Sequence, residues 1–154
     1  MTASRLRPIK SKKITRAFTG VETVINTIIE FFDQTNNVVY ICVDQTRPIL
    51  TLDTETLKEA FIRAKKRGVK LRYITEITED NLTYCKQLLT MVDELRHLDG
   101  FRGNFYLSES SYLAPATFHE KGKPASQIIY SKVREIIEHQ GYVFDSFWSR
   151  ANTC

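Results

Sequence analysis

The stretch VVYICVDQTRP (residues 38–48), DTETLKEAFIRAKKRG (53–68) and VKLRYITEITED (69–80) decides the fold. Residues 38–43 form a nearly unbroken run of apolar, β-prone side chains, the pattern of a strand covered on both faces. Leu57, Ala60, Phe61 and Ala64 then recur at helical spacing, and Gly68 stands where a helix end takes up a left-handed residue. A second apolar run, 69–74, begins at once. Strand, helix and strand of these lengths make a β-α-β unit, with parallel strands and a right-handed crossover. Both strands therefore end at one edge of the sheet. Asp44, Gln45, Thr46 and Arg47 follow the first; Thr75, Glu76, Thr78, Glu79 and Asp80 follow the second. Open α/β sheets bind ligands at that edge, which makes Asp44, Thr46, Arg47 and Glu76 candidate ligand contacts.

The remaining chain extends this unit without repeats or low-complexity tracts. Val21, Val24, Ile25, Ile28, Ile29 and Phe32 form an apolar helical stripe ending near Gln34. Thr46-Arg47-Pro48 reads as a loop, because Pro48 opposes helix. Thr78 is a suitable N-cap for a helix whose stripe is Leu82, Cys85, Leu88, Leu89, Val92 and Leu95, stopped by Gly100. Short strands are expected at 104–107, 112–118 and 127–130, a polar loop at 119–125 and a last helix over 132–151. The order α-β-α-β-α-β-β-β-α predicts an α/β fold with a single mixed, mostly parallel sheet flanked by helices.

The chain has 154 residues, of which 22 are basic and 18 acidic, for a net charge of +4. That is one domain with an ordinary charge balance. The excess includes Arg5, Arg7, Lys10, Lys12, Lys13 and Arg16, so residues 1–17 read as a flexible basic arm and 18–151 as the single folded domain. No aromatic residue interleaves the arm before Phe18, and no nucleic-acid partner is expected. Cys42, Cys85 and Cys154 lack metal-ligand spacing, the usage of a reducing, cytoplasmic compartment. Cys42 and Cys85 read as core residues. No apolar run is long enough to span a bilayer.

Arg72, inside the second strand, is a lesser candidate for ligand contact. Glu76, Glu79, Asp80 and Asn81 could gather around a hard cation, but helix capping accounts for them and no metal or cofactor is assigned. His97 reads as a cation at a helix end, and His139 as half-buried packing in the last helix. His119 and Lys121 form the His-x-Lys part of the phospholipase D-like phosphodiesterase signature, in which histidine attacks phosphorus and lysine holds a non-bridging oxygen. That signature places Asp after four further residues; this chain has Ser126 there. No residue is therefore assigned a catalytic role, and His119 and Lys121 join the ligand-contact candidates.

Six segments resemble one family: DQTRP (44–48), AKKRGVKLRYITEITEDN (64–81), MVDELRHLDG (91–100), GNFYLSE (103–109), APATFHEKGKPASQIIYS (114–131) and EIIEHQGYVFDSFWSRA (135–151). They are similar to the N-terminal input domain of sensor histidine kinases from ammonia-oxidising archaea (Thaumarchaeota). In that family PAS and kinase modules follow; these 154 residues stop before either, so the expectation is a stand-alone input domain or a fragment of a longer kinase. The resemblance implies a sensory domain of a two-component system, acting in signal reception. The architecture further resembles a phospholipase D-like half-domain, as in ligand-sensing domains of some archaeal transcription regulators.

Three functions follow as expectations. The first is a sensory or regulatory domain that binds a small anionic ligand or a downstream signalling module. The second is a phospholipase D-like phosphodiesterase or nuclease, which needs a homodimer to bring two His119/Lys121 motifs together. The third is a protein interaction module working through an apolar helix face.

Overall fold

The structure, a computed structural model, describes residues 14–116 and 123–154. Within them one mixed sheet of eight strands has the order β1-β7-β6-β5-β2-β3-β4-β8. The strands are β1 (Thr15–Thr19), β2 (Val38–Cys42), β3 (Lys70–Thr75), β4 (Glu94–His97), β5 (Phe105–Leu107), β6 (Tyr112–Ala116), β7 (Gln127–Ser131) and β8 (Asn152–Thr153). The helices are α1 (Val21–Gln34), α2 (Arg47–Asp53), α3 (Glu55–Lys66), α4 (Leu82–Leu88) and α5 (Arg134–Arg150). The predicted β-α-β unit is present, with Val38 opposite Lys70 and Cys42 opposite Ile74 in parallel register. Parallel pairing is narrower than expected: β2-β3 and β3-β4 are parallel, and the other five pairings are antiparallel. The short turn between β5 and β6 can join only antiparallel strands.

Strand alternation builds two cores. Val39, Ile41, Leu71, Tyr73 and Leu95 face Val24, Ile28, Phe32, Phe61 and Ala64 of α1 and α3 in the larger one. Burying a side chain such as Phe61, 1% exposed, contributes about 1.5–3 kcal/mol. Cys42, Ile74, Phe105 and Leu107 point the other way and pack with Phe144 of α5. Helix α3 ends as the sequence predicts: Gly68 has φ 92°, Val69 N–H bonds the Ala64 carbonyl and Gly68 N–H that of Lys65, which is a Schellman motif. Helix α5 is fastened to β4 by Arg96. Its guanidinium lies 3.9 Å from the centre of the Trp148 ring and donates to the Trp148 carbonyl at 2.9 Å.

Five readings are corrected. Arg47 and Pro48 open α2 rather than lying in a loop; Pro48 sits in the first turn, where a missing N–H removes no helical bond. The helix predicted to reach residue 95 stops at Leu88. Met91 and Val92 N–H groups fold back onto the Leu88 carbonyl, and Asp93 accepts from Leu71 N–H at 2.7 Å, which starts β4. His97 accordingly ends a strand, and His139 is exposed on α5. The arm gives way to structure at Thr15, because β1 pairs with β7.

Candidate functional site

Strands β2, β3, β4, β6 and β1 all run the same way through the sheet. Their C-terminal ends bring Gly20, Asp44, Glu76, Leu98 and Ala116 to one rim. The predicted convergence of the loops after β2 and β3 is thus present, and the β6 end joins it.

Asp44 is the anchor on the rim. Its carboxylate accepts from Thr46 N–H at 2.8 Å and from the Thr46 hydroxyl at 2.5 Å. Asn104 donates to its other oxygen at 2.9 Å, and Asp44 N–H bonds the Asn104 side-chain oxygen at 3.0 Å. Burial alone would raise the Asp44 carboxyl. The Thr46 hydroxyl, Asn104, the Thr46 amide and the charge of Arg47 outweigh it and hold the group below its ordinary value.

Arg47 lies beside it, 8% exposed. Its Nε is 3.9 Å from Asp44 Oδ2, too long for a hydrogen bond. That Nε is enclosed and has no hydrogen-bond partner, the one such buried side-chain polar atom among the described residues. A buried donor left unpaired costs about 1–3 kcal/mol. Arg47 lines a cavity of about 40 Å³ with Thr51, Tyr106, Pro115, Pro124 and Ala125 among its walls. Burial, partly offset by the Arg47 charge, pushes the Tyr106 phenol up to about 12, so it stays a neutral hydroxyl.

Glu76 reaches the same rim but is used differently. Its carboxylate accepts from Gly100 N–H at 3.1 Å. Asn81, fully buried, donates to the carbonyls of Gln45 and Glu76, each at 2.9 Å, and accepts from Thr78 N–H at 2.8 Å. The β2 and β3 loops are thereby tied to one another. His97 accepts from Ile77 N–H on Nδ1 at 2.9 Å. Its remaining proton therefore sits on Nε2, 2.6 Å from Asp99. Arg72 is exposed in mid-strand, paired across to Tyr40 and Glu94, and does not reach the rim. Glu79 and Asp80 point to solvent. Among the described residues no group of three or more His, Cys, Asp or Glu could hold a metal ion.

The structure therefore brings Asp44, Thr46 and Arg47 together, with Glu76 on the same rim in a separate bonding set. His119 and Lys121 lie outside the described residues. The ends of their segment are fixed at the rim: Ser126 N–H bonds the Ala116 carbonyl at 3.2 Å, and Gly20 N–H bonds the Ser126 carbonyl at 2.8 Å. Pro115, Pro124 and Ala125 from these ends border the Arg47 cavity. The sequence reading missed Asn104, Thr51 and Tyr106. Asn104 meets Asp44 across 60 positions, and no local pattern marks such a contact.

Nuc from Salmonella typhimurium, a phospholipase D family member, superposes with a TM-score of 0.75 at 11% identity, over 93% of this chain and 99% of Nuc. The fold is phospholipase D-like. NucT from Helicobacter pylori gives a TM-score of 0.69 at 11% identity, over 93% of this chain and all of NucT. TrmBL2, an archaeal chromatin protein with a novel mode of DNA binding, gives 0.71 at 14% identity. This chain is covered to 98% in that match but spans only 60% of TrmBL2. No protein-family model and no curated protein matches the sequence. At these identities the likeness is one of fold. It supports the half-domain architecture, while the likeness to kinase input domains rests on sequence segments alone. No helix among the described residues is long and apolar enough to cross a membrane.

Proposed function

We propose that this chain is a sensory or regulatory domain on a phospholipase D-like scaffold, taking a small anion at the rim through Arg47 rather than hydrolysing a phosphodiester. One observation carries the reading: a buried guanidinium with an unpaired donor beside a cavity. A desolvated arginine is retained at a cost unless an acceptor completes its shell. Asp44 only partly does so, because its oxygens already accept from Thr46 and Asn104. An anion would supply the missing acceptors, and the guanidinium fork suits a two-oxygen edge.

Ser126 in place of the signature Asp counts against hydrolysis. His119 and Lys121 serve in this reading as further ligand contacts from the segment whose ends border the cavity. Because those ends are bonded to the start of α1 through Gly20, ligand contact there can be passed to a downstream signalling module.

Thermal-shift titration with small anions tests it. Stabilisation should saturate in the native chain and disappear in Arg47→Met. Stabilisation that persists undiminished in Arg47→Met removes the proposed site. Bis-p-nitrophenyl phosphate supplies the rival test: turnover that is lost in His119→Ala would replace sensing with phosphodiester hydrolysis.

A further inference from the structure

We infer that the Arg47 cavity selects a short aliphatic carboxylate of about the size of acetate, in preference to a phosphate or phosphate ester. This rests on the anion-binding reading above and adds the ligand's chemical class. Three observations carry it. The first is size. A water-sized occupant needs roughly 10–15 Å³, so a cavity of about 40 Å³ holds three or so such occupants. That fits a carboxylate with one or two carbons beyond it, and it excludes a nucleotide or sugar phosphate.

The second is charge. Arg47 is the only charged side chain lining the cavity among the described residues, and the Asp44 carboxylate stands 3.9 Å from its Nε. This pair is neutral in itself, so a monoanion beside it leaves a net charge of −1 and a dianion −2, and the dianion meets the greater repulsion from Asp44. The third is the wall. Val24, Ile28, Leu50, Leu57 and Pro115 give the cavity carbon surface, and a methyl or ethyl group loses nothing there. The second charged face of a phosphate would be desolvated without a partner. Thr51 and Tyr106, which also line the cavity, add neutral polar groups suited to an oxygen of the carboxylate.

The experiment uses the full chain at constant ionic strength and reads calorimetric binding of formate, acetate, propionate, butyrate, phosphate and methyl phosphate. Acetate or propionate should bind at least tenfold more tightly than phosphate, and Arg47→Met should abolish that binding. Leu50→Ala, at a half-buried position, should move the optimum by one or two carbons toward butyrate. Should that variant fail to fold, Ile25→Ala enlarges the same cavity from the α1 side. Phosphate bound through Arg47 in preference to every carboxylate overturns the class and leaves the anion site standing. Carboxylate binding indifferent to Arg47, or a chain-length preference unmoved by both cavity variants, overturns the location. If no anion binds in an Arg47-dependent way, this inference and the anion-binding reading fail together.

Discussion

The two halves of the rim are built from similar polar residues and finished differently. On the β3–β4 side, Glu76 accepts from Asn81 and Gly100, Asn81 also donates to Gln45, and His97 accepts from Ile77, through bonds of 2.9–3.1 Å. On the β2–β6 side, Arg47 is buried, as Asn81 is, yet its Nε bonds nothing and the residue lines a cavity. A carboxamide or carboxylate whose bonds are all made inside the protein stabilises loops. A cation left short of acceptors weakens the fold, which is why Arg47 is the residue proposed to take a ligand. Polar residues at a strand-end edge thus identify a region, and only the bonding of each one separates scaffold from site.

Substitutions can break that contrast. The largest effect belongs on the closed side. Asn81→Ala would leave the Gln45 and Glu76 carbonyls and Thr78 N–H unpaired, and should cost about 3 kcal/mol. For a domain of this size the melting temperature should drop by roughly 6–12 °C, measured by calorimetry without ligand. Asp44→Asn comes next, at about 2 kcal/mol near neutral pH, because the amide cannot accept all the donors now converging on the carboxylate. The folded carboxyl is held below its unfolded value. Its stabilisation is therefore complete above about pH 4 and is lost as pH falls through the folded value. The gap between the native chain and Asp44→Asn should accordingly close in acid, as followed by denaturant unfolding from pH 7 to pH 3.

Arg47→Met should change stability by less than about 1 kcal/mol, because losing the distant charge 3.9 Å from Asp44 is offset by removing a buried donor that bonds nothing. The same substitution should abolish anion binding. A loss of 3 kcal/mol or more in Arg47→Met would place Arg47 with the closed side and end the contrast. Glu79→Ala should move stability by less than about 0.5 kcal/mol, which chemical denaturation can check.

The sheet's centre was legible because the β-α-β unit announces itself by period: a continuous apolar strand, a helical stripe and Gly68. What was misread has local causes too. Leu88, Val92 and Leu95 are spaced as a helix stripe continues, so β4 was hidden inside α4's pattern. Pro48 reads as a breaker, although the first turn of a helix tolerates it. Strand β1 is mostly exposed and exists through its pairing with β7, which no short window of sequence records. The same holds at the site. Asp44, Thr46 and Arg47 were visible as neighbours in the chain, while Asn104 and Tyr106 reach them only through the β2–β5 pairing.

The anchoring of α5 has an optical consequence. Trp148 is the sole tryptophan of the chain, held between Arg96 and a stacked Phe144 on the layer away from α1 and α3. Its fluorescence will report the docking of that helix alone. An emission change on filling the opposite layer would therefore be a message carried through the sheet, and a silent indole would mean that the two layers respond independently.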